Sequence, residues 1–475
     1  DYFSWLDNGD AAQVVLFASA DGSGEVVGQW TYVVAANFFT VQDDVSGADL
    51  MATWQTGPAG DFVQHALLLS PDTYQVLSAW WGTPQADGIM VVDEADLLAT
   101  AEQIGAWALL PFDELAPQWK VLTLDGTTTM EKDWSPESYL LSLSLYLHSA
   151  GRPETLPLLL REAKTFSNRD ATAITRVVMT GVTAMTRATA RLMDVQGVTY
   201  PAQDIKPWFA DADFVHISNE VSFTPDCVAE GSGTMSFCSH EDYIALLEEI
   251  NTNIVELTGN HLEDKGTQWV DYSLEMYRER GWQWFGGGAN RAEGMRPLTI
   301  THGVNKLAFI GCNTVGPFAG EDSGGAAPCD FETMTADISR LRAEGYLPIA
   351  TLQYLEAYEY APSDPQMRDF RRLAEAGAVM VQGSQAHQAQ TMEFHGETFV
   401  HYGLGNFFFD QMWSDGTRQE FVDRLTFYNG RLLNIDLRTA ILEEYGRPRP
   451  MTVGDPASEA DRAQFLTMIF GLRPQ

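Results

Sequence analysis

Lysine is scarce in this chain. Only Lys120, Lys132, Lys164, Lys206, Lys265 and Lys306 occur, and Lys and Arg together number 29 against 65 Asp and Glu, a formal charge of −36. Such a surface lacks the clustered cations that displace counterions from a phosphate backbone, so nucleic acid is not an expected partner. Long apolar runs are lacking as well: none approaches the roughly 18 residues of a membrane-spanning helix, and no transmembrane segment is expected in this chain. No Gly-x-Ser-x-Gly elbow is present and no cysteine reads as a low-pKa nucleophile, which leaves serine and cysteine hydrolysis without support. What remains is ample for folding. Hydrophobic residues make up 45% and charged residues 20% of 475 positions, enough for two or three domains at about 150 residues each.

Cysteine is limited to Cys227, Cys238, Cys312 and Cys329, and their spacing does not form the CxxC knuckles of a zinc site. Two disulfides are the favoured reading, Cys227 with Cys238 and Cys312 with Cys329, since each closes a loop rich in Gly, Ser, Pro and Asp. Four separate buried thiols are the alternative. Disulfides imply an oxidising compartment. The chain begins at Asp1 with neither an initiator Met nor a basic and apolar leader, which reads as a processed N-terminus and an extracellular or cell-surface location.

Strand and helix signals alternate along the chain, which predicts an α/β protein in two parts. The first, 1–165, reads as a smaller α/β domain with strands near 13–19, 31–36 and 66–69 and helices at 137–148 and 156–164. The second, 166–445, carries strands near 173–181, 213–218, 254–258, 298–302, 306–311, 347–354 and 378–382, with helices between them. Polar residues gather at the C-terminal ends of these strands, where open α/β sheets place their sites. From about residue 440 the pattern breaks into Pro, Gly and charge, and 446–475 reads as a tail with a short helix at 458–470.

The strongest local signal is Thr258-Gly259-Asn260-His261, followed by Asp264 and Gly266. Gly permits a sharp turn after a strand, Asn offers a carbonyl ligand, and His can coordinate or give a proton. Ser218-Asn219-Glu220 also follows a strand. A glycine loop runs from Gly286 through Asn290 to Glu293, and no Lys-Ser/Thr follows it to make a phosphate cradle. Gly383-Ser384-Gln385-Ala386-His387 and Tyr402-Gly403-Leu404-Gly405-Asn406-Phe407-Phe408-Phe409-Asp410 complete the series. In order and spacing these segments resemble the CapA-type family of poly-γ-glutamate capsule biosynthesis, within the calcineurin-like metallophosphatase superfamily. The resemblance implies a metallophosphatase-like layered α/β sandwich for the second part. More faintly, 45–50 and 106–113 resemble pieces of a solute-binding-protein lobe.

By this resemblance Glu220, Asn260 and His387 stand at metal-ligand positions and His261 at that of the proton donor. Three further ligand positions are substituted: Val182 replaces the Asp of the first motif, Gln353 a His, and Gln385 the first His of the GHxH segment. Transition-metal pairs need several carboxylate or imidazole ligands per ion, so a dinuclear site is not expected. The remaining readings are no tightly bound metal, or one divalent cation (Ca, Mg or Mn) held by oxygens of Glu220, Asn260, Gln353 and Gln385. The implied function is the making or handling of an extracellular anionic polymer such as poly-γ-glutamate, or of another cell-envelope component. A metal-assisted hydrolase and a non-catalytic surface protein that keeps the fold both fit. Arg176, Arg187 and Arg191 are candidates for a basic groove that offsets the overall acidity, and His302 and His401 for lining the cleft.

Overall fold

The computed structural model describes residues 14–18, 25–84, 88–149, 166–229, 235–451 and 456–474. It divides the chain into two units, Asp1–Thr172 and Ala173–Gln475, so the division falls after residue 172 rather than at 165.

In the first unit a mixed sheet runs in the order Val14–Ala18, Ser142–Ser149, Glu25–Asn37, Trp107–Pro111, Leu67–Leu69, Ile89–Val91. Helices start where the sequence supplies caps. Ser46 accepts from the backbone of Asp49 at the head of Gly47–Gln55, and Ser70 from that of Thr73 ahead of Pro71–Trp81, each satisfying an N–H that the first turn leaves open. Trp54, Phe62, Leu77 and Trp107 fill the core against the sheet. The helix expected at 137–148 is instead a short turn, Pro136–Ser138, and the strand Ser142–Ser149, paired antiparallel with Glu25–Asn37. The run Leu141-Ser142-Leu143-Ser144-Leu145 has the period of two that a strand requires, with Leu141 and Leu143 buried. The helix expected at 156–164 lies outside the described residues.

The second unit has the layered α/β sandwich that the resemblance implies. One sheet runs Gln283–Phe285, Ile254–Glu256, Phe214–Asn219, Ile174–Met179, Gln419–Tyr428, Arg431–Glu443, Arg447–Pro450. Its first four strands are parallel and the last three antiparallel. The other sheet runs Leu298–His302, Asn305–Asn313, Leu347–Ala357, Met380–Ala386, Thr398–His401, Met392–His395, with a parallel centre. The two face each other: Ser384 Oγ reaches Glu256 across the gap, Asn313 donates to the Thr258 carbonyl at 2.7 Å, and Phe285 meets Phe309 at 5.5 Å. Helices Gln268–Glu279 and Arg187–Gln196 cover the first sheet with Leu274, Tyr277 and Met193. Helices Phe331–Ala343 and Asp364–Glu375 cover the second with Ile338, Leu341 and Phe370.

Residues 446–475, expected as a tail, belong to this unit. Arg447–Pro450 is an edge strand, the place where Pro is tolerated. The helix Pro456–Gly471 buries Phe465 and Leu466, and Thr391 donates to the Ile469 carbonyl at 2.6 Å. Both expected disulfides are present, Cys227–Cys238 and Cys312–Cys329.

Candidate functional site

The parallel strands of both sheets deliver their C-terminal ends to one place. Phe214–Asn219 ends on Glu220, and Ile254–Glu256 runs on into Gly259-Asn260-His261. Leu347–Ala357 carries Gln353, and Met380–Ala386 carries Gln385. Glycine is needed at 259, where a Cβ would lie 2.5 Å from the Glu220 Cα. The loop can therefore close onto Glu220, with His261 bridging to Val221.

Gln353 is the centre of the site. Its amide nitrogen, with two hydrogens shared among three acceptors, lies 2.7 Å from Asn260 Oδ1 and 3.3 Å from Glu220 Oε1 and also meets Gln385 Oε1. Glu220, Gln353 and Gln385 are buried. Gln385 holds a left-handed backbone, φ 73°, a cost of order 1–3 kcal/mol that the surroundings must offset. The donor set does not fit a pair of transition-metal ions. It holds one carboxylate and three neutral amides, and a hydrogen-bonding NH2 group stands among the three oxygens. Were that amide turned over, four oxygens would face one another, and a cation would be needed to hold them together. Val182, buried at the first motif, is fixed through its backbone, donating to Gly405 O and accepting from Phe407 N. Its side chain has no atom with which to coordinate.

Each of the two motif histidines spends its Nδ1 on a side-chain partner of its own. His261 Nδ1 and Asp264 Oδ2 lie 2.7 Å apart, and Asp264 also accepts from the backbone of Phe237 at 2.7 Å. Burial lowers the His261 pKa, but the hydrogen bond to Asp264 and the charges of Glu220 and Asp264 outweigh it and raise the net value. With Nδ1 engaged, Nε2 is the nitrogen available for proton transfer. His387 Nδ1 meets Asn406 Oδ1 at 2.8 Å, while Asn406 Nδ2 donates to the carbonyls of His387 and Thr417. Those two donations fix the Asn406 amide, so His387 carries its proton on Nδ1. Its ring lies between Phe409 and Tyr358.

Arg187 has a left-handed backbone, φ 47°, and its guanidinium binds the Asp410 carboxylate through Nε and Nη2. Of the three arginines expected in a groove, Arg187 alone takes part in this site. Arg176 is buried and paired with Asp211, and Arg191 is exposed on the helix Arg187–Gln196. His401 does not line the cleft: it is fully buried, 2.6 Å from Asp423. His302 bonds Thr175 Oγ1 at 2.9 Å, near the start of the strand Ile174–Met179 and so away from its C-terminal end. Phe237 is a site residue that sequence reasoning missed. Its ring lies 4.5 Å from His261, and its only signal is adjacency to Cys238, whose disulfide tethers that loop.

Comparison with known proteins finds relatives for the second unit. The family described as "Bacterial capsule synthesis protein PGA_cap" matches residues 176–411. The second unit is a CapA-type domain of that family. The PGA biosynthesis protein CapA of Bacillus subtilis is 23% identical over 271 residues, 56% of this chain and 69% of that protein. The capsule biosynthesis protein CapA of Bacillus anthracis is 21% identical over 293 residues, 58% of this chain and 69% of its own length. Among solved structures, a phosphatase from Mycoplasma pneumoniae aligns with 62% of this chain and 99% of its own, at 11% identity and a TM-score of 0.39.

Proposed function

We propose that this CapA-type unit serves poly-γ-glutamate capsule biosynthesis by binding the polymer outside the cell, without a metal pair and without hydrolysing it. The observation that carries the reading is the Gln353 amide. Its NH2 group shares two hydrogens among the oxygens of Glu220, Asn260 and Gln385 where a two-metal enzyme needs charged ligands around cations. Support for the polymer comes from the CapA relatives, and for an oxidising location from the two disulfides.

The His261–Asp264 pair favours a second reading, a hydrolase with one hard cation. Glu220, Asn260 and a turned-over Gln353 would hold the ion, and His261 would protonate the leaving group. Elemental analysis of the purified protein separates the two, paired with turnover of a chromogenic phosphodiester and Glu220→Ala as control. The binding reading expects neither stoichiometric metal nor turnover. Metal in stoichiometric amount together with activity lost in Glu220→Ala would sink it in favour of the hydrolase.

A further inference from the structure

A run of rings in successive contact leads from the buried site to the surface. Phe237 lies against His261, and the Arg187 guanidinium sits over Phe237 at 4.9 Å and over Phe409 at 5.0 Å. Phe409 stacks on His387 at 5.2 Å, His387 on Tyr358 at 5.9 Å, and Tyr358 meets Trp413 at 5.5 Å. Trp413 is 63% exposed and Tyr358 40%. The Tyr358 hydroxyl donates to Glu356 and feels the charge of Glu220, so the platform adjoins the site. The cation nearest this run, Arg187, is already neutralised by Asp410.

A polycarboxylate arriving here meets carboxylates and aromatic faces, with little net positive charge to attract it. A γ-linked glutamyl chain has another surface to offer. Its backbone passes through side-chain methylenes and amides, while the α-carboxylates hang to one side. Aromatic faces take methylene C–H groups and amide planes without any charge on the protein. We infer that Trp413 and Tyr358 form a subsite for the backbone of a γ-glutamyl polyamide, bound through its methylenes and amides with its carboxylates turned to solvent. The inference rests on the polymer-binding reading and names how that binding works in a chain of charge −36.

Fluorescence anisotropy of end-labelled poly-γ-glutamate with the full chain tests it, in about 50 mM and about 0.5 M NaCl, across which charge interactions are progressively screened. Trp413→Ala is expected to weaken binding about tenfold and Trp413→Phe to restore most of it. Wild-type affinity is expected to hold or rise with salt, because screening removes the repulsion between two polyanions. Poly-α-glutamate, with the same one carboxylate per residue but no methylenes within its backbone, is expected to compete poorly. Wild-type-like binding by Trp413→Ala overturns the inference and leaves the polymer reading standing, as does affinity that falls steeply with salt. No binding by the wild type at either salt overturns both. The salt series uses the wild type alone, so it decides the matter even if a variant fails to fold.

Discussion

Glu220 and Glu420 are buried almost equally, 2% and 1% exposed, in the same unit. Glu220 ends the strand Phe214–Asn219 and shares the Gln353 amide with Asn260 and Gln385. Glu420 lies in the strand Gln419–Tyr428, opposite Ala440, and neither of its oxygens has a hydrogen-bond partner. A carboxylate taken from water must find donors or a proton. The fold brings Glu220 a donor from a strand of the opposite sheet. Glu420 is left to hold a proton, since burial drives its pKa well above the usual carboxylate value. Burial alone therefore does not mark a functional carboxylate. What separates the two is whether polar groups from several strands converge on it.

The largest effect expected from this contrast comes from removing the shared donor. In Gln353→Leu, Glu220 and the oxygens of Asn260 and Gln385 lose the amide that joins them, which should cost about 3 kcal/mol or more. Urea denaturation measures the loss, and Gln353→Leu combined with Glu220→Gln should recover part of it, because an amide at 220 can donate where the carboxylate cannot. If Gln353→Leu is as stable as wild type, Glu220 has other partners and the two carboxylates are more alike than the geometry says.

Much of the site was legible in sequence because it sits where strands end. Gly259-Asn260-His261 and Ser218-Asn219-Glu220 carry turn and ligand residues at strand ends, and the substituted positions Val182, Gln353 and Gln385 can be found by their spacing from those motifs. The role of Gln353 was not legible. Whether an amide presents oxygen or nitrogen depends on what three other strands bring to it. Phe237 reaches His261 from a loop that the Cys227–Cys238 disulfide and the Asp264 carboxylate both hold. Elsewhere, local composition misled. The Leu-Ser alternation before residue 149 fell within a helix-like window, and Arg-Pro repeats near residue 448 concealed an edge strand. His401 sits near a strand end as the candidate site residues do, yet it spends its hydrogen bond on Asp423 in the core.

Glu420→Gln should act in the opposite direction to Gln353→Leu. A carboxyl whose folded pKa is raised contributes its full stability below the unfolded pKa and loses it as pH rises toward the folded value. The Gln variant cannot ionise, so it should match wild type at acid pH, below the unfolded carboxyl pKa, and exceed it increasingly as pH rises to neutral. Thermal melts across that range read the divergence. Parallel curves would mean that water or a rearranged side chain satisfies Glu420, and the contrast with Glu220 would then be one of degree.

The smallest effect concerns the proton on His261, which lies within reach of the Glu220 charge and so reports on it. Asp264→Asn keeps the shape of the clamp and removes its charge. Burial, which lowers the pKa, then meets less opposition, and the His261 pKa should fall. Because the wild-type value is raised, the stability that protonated His261 contributes is complete below the unfolded pKa and is lost as pH rises through the folded one. Asp264→Asn should shrink that acid-side contribution and shift the imidazole titration seen by NMR to lower pH. Glu220→Gln should lower the same pKa by a smaller amount, since the Asp264 hydrogen bond outranks the Glu220 charge. Glu420→Gln should leave it unmoved, because a carboxyl that is already protonated has no charge for His261 to feel.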